Sequence, residues 1–213
     1  VMEIISRQFP NLGWLEYKLN EEQLDYVWKS VDNQKEDHKK DLAGNITGSY
    51  LLDDKDDWFF KNVLTPLANT YSKEYRNHAD KVPINQRHPY YMSTWWVNYQ
   101  KQTEFNPMHC HTGVYSFALW LKIPTSHFEQ NMNPISLNSN AHKISAFEFS
   151  YTDILGTIFP YNYEMSPKLE GTMLFFPSEL KHCVYPFYNC EDDRVSVAGN
   201  LQFRTHLIII WKY

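Results

Sequence analysis

Hydrophobic and polar positions follow two different periods along this chain. Up to about residue 85, apolar residues recur at helical spacing. Asn20 followed by Glu21 is typical of a helix N-terminus, and an apolar stripe follows it at Leu24, Val27, Trp28 and Val31. A second helix is expected over residues 56–77, in which Pro66 predicts a kink or a break.

From about residue 86 the pattern changes to short segments rich in aromatic and β-branched residues, separated by Pro, Asn and Gly. Such segments predict the strands of a sandwich or barrel. They cover residues 90–99, 113–124, 144–151, 171–177, 182–188, 194–203 and 205–213. The polar, Asn-rich stretch 127–143 between two of these segments reads as a long loop and a candidate lid.

The length of 213 residues suits a single domain, with a helical part over about 1–85 and a β core over about 86–213. The net charge of −5 is a poor match for nucleic acid, and no apolar run is long enough to cross a membrane. The three cysteines do not form a disulfide or zinc pattern, and the first residues lack the features of a secretion signal. These observations favour a cytoplasmic protein.

Two histidines stand two residues apart in the segment NPMHCHTG. If the segment is extended, His109 and His111 point to the same side and Cys110 points to the other. Two imidazoles held in this way can occupy neighbouring positions on a metal ion. A third ligand must come from elsewhere, and His182, after a Pro-Ser turn, is the candidate.

A candidate anion receptor follows twelve residues after His182. Strand alternation puts Arg194 and Ser196 on one face, and an arginine inside a barrel is costly unless it meets an anion. The guanidinium group suits a carboxylate, to which a nearby hydroxyl can add a hydrogen bond. A metal together with a carboxylate receptor is what a chelating keto-diacid requires.

These motifs resemble those of the 2-oxoglutarate/Fe(II) dioxygenases of the prolyl-hydroxylase type, and most closely a group of often phage-encoded oxygenases. The similarity covers about residues 88–204 and rests on W-x-N, H-x-H, F-F-P-S-x-L-x-H and R-V-S-V-x-x-N. It implies a double-stranded β-helix, or cupin-like jelly roll, with the N-terminal helices packed on one sheet. It also implies Fe(II), 2-oxoglutarate and O2, with ascorbate as an accessory reductant.

The resemblance also implies a role for each residue. His109 and His182 correspond to iron ligands, and Arg194 with Ser196 corresponds to the anchor for the C5 carboxylate of 2-oxoglutarate. Two further candidates for contact with 2-oxoglutarate are Asn98 and Tyr99.

The position of His111 departs from the pattern, because the second ligand of these enzymes is usually a carboxylate. Three neutral imidazoles leave the metal with its full charge and also resemble a catalytic zinc site. Two alternatives therefore stand beside the hydroxylase: a three-His cupin-like metalloenzyme that does not use 2-oxoglutarate, and a non-catalytic, metal-stabilised binding protein. For the hydroxylase, the expected substrate is a small molecule or a peptide.

Overall fold

The computed structural model describes residue 5, residues 11–75 and residues 89–204, which form a mainly β structure of two antiparallel sheets. The larger sheet has six strands in the order β1-β8-β5-β10-β3-β2, and the smaller has four in the order β4-β9-β6-β7. The strands are β1 Leu15–Lys18, β2 Gly48–Leu51, β3 Tyr90–Gln100, β4 Asn106–His109, β5 Tyr115–Lys122, β6 Phe147–Thr152, β7 Ile158–Tyr163, β8 Thr172–Pro177, β9 Lys181–Val184 and β10 Arg194–Phe203. This arrangement is the predicted double-stranded β-helix.

Two helices precede the third strand. Helix α1 spans Glu21–Asp32 and begins after Asn20, as predicted. The structure adds a reciprocal capping box between Asn20 and Gln23. A π-helical turn at Phe60–Leu64 leads into α2 at Thr65–Glu74. Leu64 and Thr65 keep helical backbone angles, so the helix does not break at Pro66 but changes there from π to α geometry.

The helices share one buried core with the outer face of the larger sheet. Val27 of α1 and Tyr71 of α2 belong to this core, together with Trp95 of β3, Val195 and other apolar residues of the sheet. Burial of apolar surface is the main term that holds such layers together. The helical layer therefore supports the sheet from outside and leaves its inner face for the cavity.

The inner faces of the two sheets meet at a second apolar cluster, to which Trp120 and Phe176 contribute from the larger sheet and Phe147 and Phe149 from the smaller. Along β10, Val195, Val197 and Leu201 belong to the helix-side core. The alternate residues of β10 lie on the inner face. This period-2 alternation decides which side chains reach the site.

Several details differ from the sequence predictions. The four-residue strands β1 and β2 lie in the part predicted to be helical, and a third helix, α3 at His127–Asn131, lies in the part predicted to be a loop. The end of the second predicted helix, at residues 76–77, and the predicted strand 205–213 lie outside the described residues. Within the described part of the chain, every helix is too short or too polar to span a lipid bilayer.

Candidate metal centre

Three histidines converge at one end of the space between the sheets. His109 on β4 lies directly opposite His182 on β9, and His111 lies just beyond the end of β4. One nitrogen atom of each ring lies within 4.8 Å of the others. The ring centroids of His109 and His182 are 4.2 Å apart, and those of His109 and His111 are 5.1 Å apart. The structure therefore brings together the three histidines that the sequence nominated.

Hydrogen bonds fix the orientation of all three rings. Nδ1 of His109 donates to the carbonyl of Pro107 at 2.7 Å, and Nδ1 of His182 donates to the carbonyl of Leu180 at 2.9 Å. Nδ1 of His111 lies 2.9 Å from Oδ1 of Asn200. With the proton on Nδ1, each Nε2 carries a lone pair, which is the form that binds metal.

The spacing of these lone pairs suits a cation. Nε2 of His109 and Nε2 of His111 are only 3.2 Å apart. With both protons on Nδ1, two lone pairs face each other across this distance, an arrangement that is repulsive unless a cation lies between them. The donor set consists of neutral imidazoles, which suit iron, zinc, copper and nickel.

Burial also holds the three imidazoles in the neutral form. Burial, and next the charge of His109, lowers the pKa of His111 to about 4. Burial likewise lowers the pKa of His109, and together with the other two histidines it lowers the pKa of His182 well below its ordinary value. A group of histidines that resists protonation in this way is ready to bind a metal ion at neutral pH.

Acidification from about pH 7 to pH 5 is expected to destabilise the metal-free protein by about 2 kcal/mol through His111 alone. The unfolded chain takes up a proton at this histidine near pH 6.5, whereas the folded chain does so only near pH 4, so stability is lost as the pH falls between these values. Denaturant unfolding at both pH values measures the loss. His111→Gln should reduce it, and an unchanged pH dependence in this variant would contradict the assignment.

The histidines line a cavity of about 360 Å³ that runs between the sheets. Asn98, Ser196, Phe147 and Val184 line it further along the strands. The segment 38–46 contributes further lining residues, including His38 and Asp41. One continuous cavity therefore connects the three imidazoles with two of the residues predicted to bind a keto-diacid.

Arg194 lies beyond Ser196 on the inner face of β10 and is 2% exposed. Its guanidinium donates to the side chain of Gln100 at 3.4 Å, to the carbonyl of Ser145 at 3.1 Å and to the Ser145 hydroxyl, and it lies 5.0 Å from the ring of Phe187. Burial lowers its pKa to about 9. Among the described residues, no ion pair involves Arg194, and its Nε has no hydrogen-bond partner.

The structure places the two candidates on β3 on opposite sides of the sheet. Asn98 is buried, lines the cavity and accepts a hydrogen bond from the hydroxyl of Ser49 at 2.7 Å. Tyr99 packs against the helix-side core and contacts the ring of Tyr50 at 6.1 Å. Because neighbouring residues of a strand point to opposite faces, Tyr99 is not brought to the cavity.

Some residues at the site were not nominated from the sequence. Asn200 lies at the end of the R-V-S-V-x-x-N motif, which was the one signal available for it, and it bonds to His111. The amide of Asn106 lies 3.5 Å from Nε2 of His109, and its Oδ1 is buried without a hydrogen-bond partner in the described part of the chain. No residue of the proposed lid, 127–143, lines the described cavity.

Solved structures with the same fold share little sequence with this chain. A prolyl-4-hydroxylase from Pseudomonas putida matches with a TM-score of 0.51 and 13% identity, over 91% of this chain and 94% of that chain. A 2OG-Fe(II) oxygenase family oxidoreductase from Burkholderia pseudomallei matches with a TM-score of 0.52 and 10% identity, over 86% and 79%. The collagen prolyl hydroxylase of Paramecium bursaria Chlorella virus-1, solved with 2OG, matches with a TM-score of 0.50 and 10% identity, over 88% and 94%.

The fold and the three-histidine cavity define a jelly-roll protein with a candidate metal centre. The family model described as "Putative 2OG-Fe(II) oxygenase" matches residues 94–200, just over half of the chain. The chain therefore belongs to the 2OG-Fe(II) oxygenase family. No curated protein matches the sequence.

Proposed function

We propose that this chain is an Fe(II)- and 2-oxoglutarate-dependent dioxygenase that hydroxylates a peptide side chain or a small molecule. The observation that carries the proposal is one cavity that is lined by three converging imidazoles and by Ser196, with the buried guanidinium of Arg194 two residues further along β10. Arg194 does not itself line this cavity, and within the described ranges no carboxylate pairs with it. The metal and the anion receptor are the two parts that a chelating keto-diacid requires.

His109, His111 and His182 would hold the metal through Nε2. Three neutral ligands leave the full double positive charge of Fe(II) uncompensated, so the site favours an additional anionic ligand. The keto acid end of 2-oxoglutarate supplies such a ligand.

Arg194 would bind the distal carboxylate of 2-oxoglutarate. In the part of the chain that the structure describes, this buried guanidinium has only neutral oxygen acceptors and its Nε–H has no acceptor, so its lost hydration is poorly compensated. A carboxylate that approaches along the cavity would restore this compensation through charge-assisted hydrogen bonds. Ser196 and Asn98 face each other across β10 and β3 and would add neutral donors along the path.

When bound, Fe(II) and 2-oxoglutarate supply an oxidation in which O2 converts 2-oxoglutarate to succinate and CO2 and a substrate C–H bond to C–OH. The residues of the chain bind and orient the co-substrate, and the aromatic walls around His182 exclude water. The proposal includes ascorbate as an accessory reductant.

We also propose that the protein works in the reducing environment of the cytoplasm. The three unpaired cysteines support this location.

Anaerobic addition of 2-oxoglutarate to the Fe(II)-loaded protein is expected to produce a weak visible charge-transfer band. The band arises because visible light can move an electron from Fe(II) to a keto acid that chelates it. Admission of O2 should then release succinate. Glutarate serves as the control, since it has the same carbon chain and the same two carboxylates without the keto group and should give no band. A wild-type protein that binds Fe(II) yet gives no band with 2-oxoglutarate would favour the three-His metalloenzyme that does not use this co-substrate.

A further inference from the structure

A network of buried and half-buried polar side chains lies behind His111. Asn200 on β10, Ser116 on β5 and Ser178 after β8 connect to one another and to the ring. Oγ of Ser116 lies 2.8 Å from Oδ1 of Asn200 and 2.9 Å from Oγ of Ser178, and both serines are fully buried. Oγ of Ser116 also lies 3.1 Å from Nδ1 of His111.

The proton positions in this network follow from which atoms can donate a hydrogen bond and which can only accept one. Oδ1 of Asn200 can only accept, so Ser116 uses its single proton on Oδ1 and accepts a hydrogen bond from Ser178. Nδ1 of His111 faces two oxygens that do not offer it a proton, and it must therefore donate. This leaves Nε2 of His111 with its lone pair towards the other two imidazoles.

His111 differs from the other two histidines in which residue accepts the hydrogen bond from its Nδ1 atom. His109 and His182 donate to backbone carbonyls two residues before them, so their orientation is built into the local chain. His111 lies beyond the last residue of β4, and its strongest acceptor is a side chain 89 positions away in the sequence. The orientation of this one ring therefore depends on the identity of a distant residue.

We propose that Asn200 is a positioning residue that holds His111 in the tautomer and orientation in which the ring completes the metal site. The inference rests on the proposed metal site, and in it Asn200 acts on the metal through the ring of His111. The amide oxygen of Asn200 accepts the hydrogen bond from Nδ1 of His111 without adding a negative charge to this region, in which Ser116 and Ser178 are fully buried.

Co(II) binding to the full chain tests this proposal, because Co(II) reports both its affinity and its ligand geometry through its visible spectrum. Asn200→Leu, which has a similar volume and no acceptor, is expected to weaken Co(II) binding by about 10- to 100-fold and to change the spectrum. Asn200→Asp retains an acceptor in the same place and should bind Co(II) as tightly as the wild type or more tightly. Asn131→Leu is the matched control, because it removes an amide that lies 3.3 Å from Nδ1 of His127, a histidine outside the metal cluster, and it should change little.

The outcomes separate positioning from packing. Wild-type affinity and spectrum in Asn200→Leu would overturn the proposal, and so would equal weakening by Asn200→Leu and Asn200→Asp, which points to a packing role. The melting temperature of each metal-free variant shows whether it folds, and Asn200→Ala replaces Asn200→Leu if the latter does not. A wild-type protein that binds no Co(II) would instead contradict the metal site itself.

Discussion

Replacement of Arg194 by methionine is expected to weaken 2-oxoglutarate binding by about 100-fold or more, while the metal-free protein stays at least as stable as the wild type. The two effects have opposite signs for one reason. The guanidinium is buried among neutral acceptors, so it costs folding free energy that it regains only when a carboxylate arrives. Titration of the metal-loaded protein with 2-oxoglutarate and denaturant unfolding of the metal-free protein measure the two effects.

The control for the Arg194 experiment is metal binding, which Arg194→Met should not change because Arg194 is not part of the histidine cluster. Arg194→Lys keeps the positive charge but loses the two parallel N–H donors of the guanidinium group, so we expect an intermediate affinity for 2-oxoglutarate. Unchanged 2-oxoglutarate affinity in Arg194→Met would show that the guanidinium has a structural role, and it would leave the three-His metalloenzyme as the better account.

Replacement of His182 by alanine is expected to abolish metal binding at micromolar concentrations. A structural zinc site of four ligands contributes about 10–16 kcal/mol, so one ligand is worth about 2.5–4 kcal/mol, or roughly 60- to 700-fold in affinity. Calorimetric titration with a divalent metal measures the loss. The rise in melting temperature that metal produces in the wild type should disappear with it.

His127→Ala is the matched control for His182→Ala. His127 on α3 is as buried as His182, each being 4% exposed, but it lies outside the metal cluster. Its replacement removes a buried imidazole and should leave metal affinity near the wild-type value. Equal metal affinities in the two variants would place the metal somewhere other than the histidine cluster.

The sequence predicted the parts of the fold in which composition and period agree. The segments that became β3, β5, β6, β8, β9 and β10 are dense in aromatic and β-branched residues, and each was predicted as a strand. Strand β7 was missed because it is an edge strand with exposed side chains and Pro160 in its interior. Strands β1 and β2 are only four residues long, which is too short to show a period.

At the candidate site, too, the sequence predicted what depends on neighbouring residues and could not predict what depends on the pairing of distant strands. The i, i+2 spacing predicted that His109 and His111 share a side, but the opposition of His109 and His182 depends on the pairing of β4 with β9, which no local pattern states. Asn98 and Tyr99 were both nominated, although neighbours on one strand cannot both face the cavity. The register of β3 with β10 decides between them, because it pairs Asn98 with Ser196.

A crystal structure of the protein with Mn(II) and 2-oxoglutarate, recorded at the manganese edge, tests the central claim most directly. We predict one anomalous peak at bonding distance from Nε2 of His109, His111 and His182, with the keto acid on the metal and the far carboxylate at the guanidinium of Arg194. A metal peak away from these three nitrogens, or a co-substrate whose carboxylates both lie far from Arg194, would contradict it.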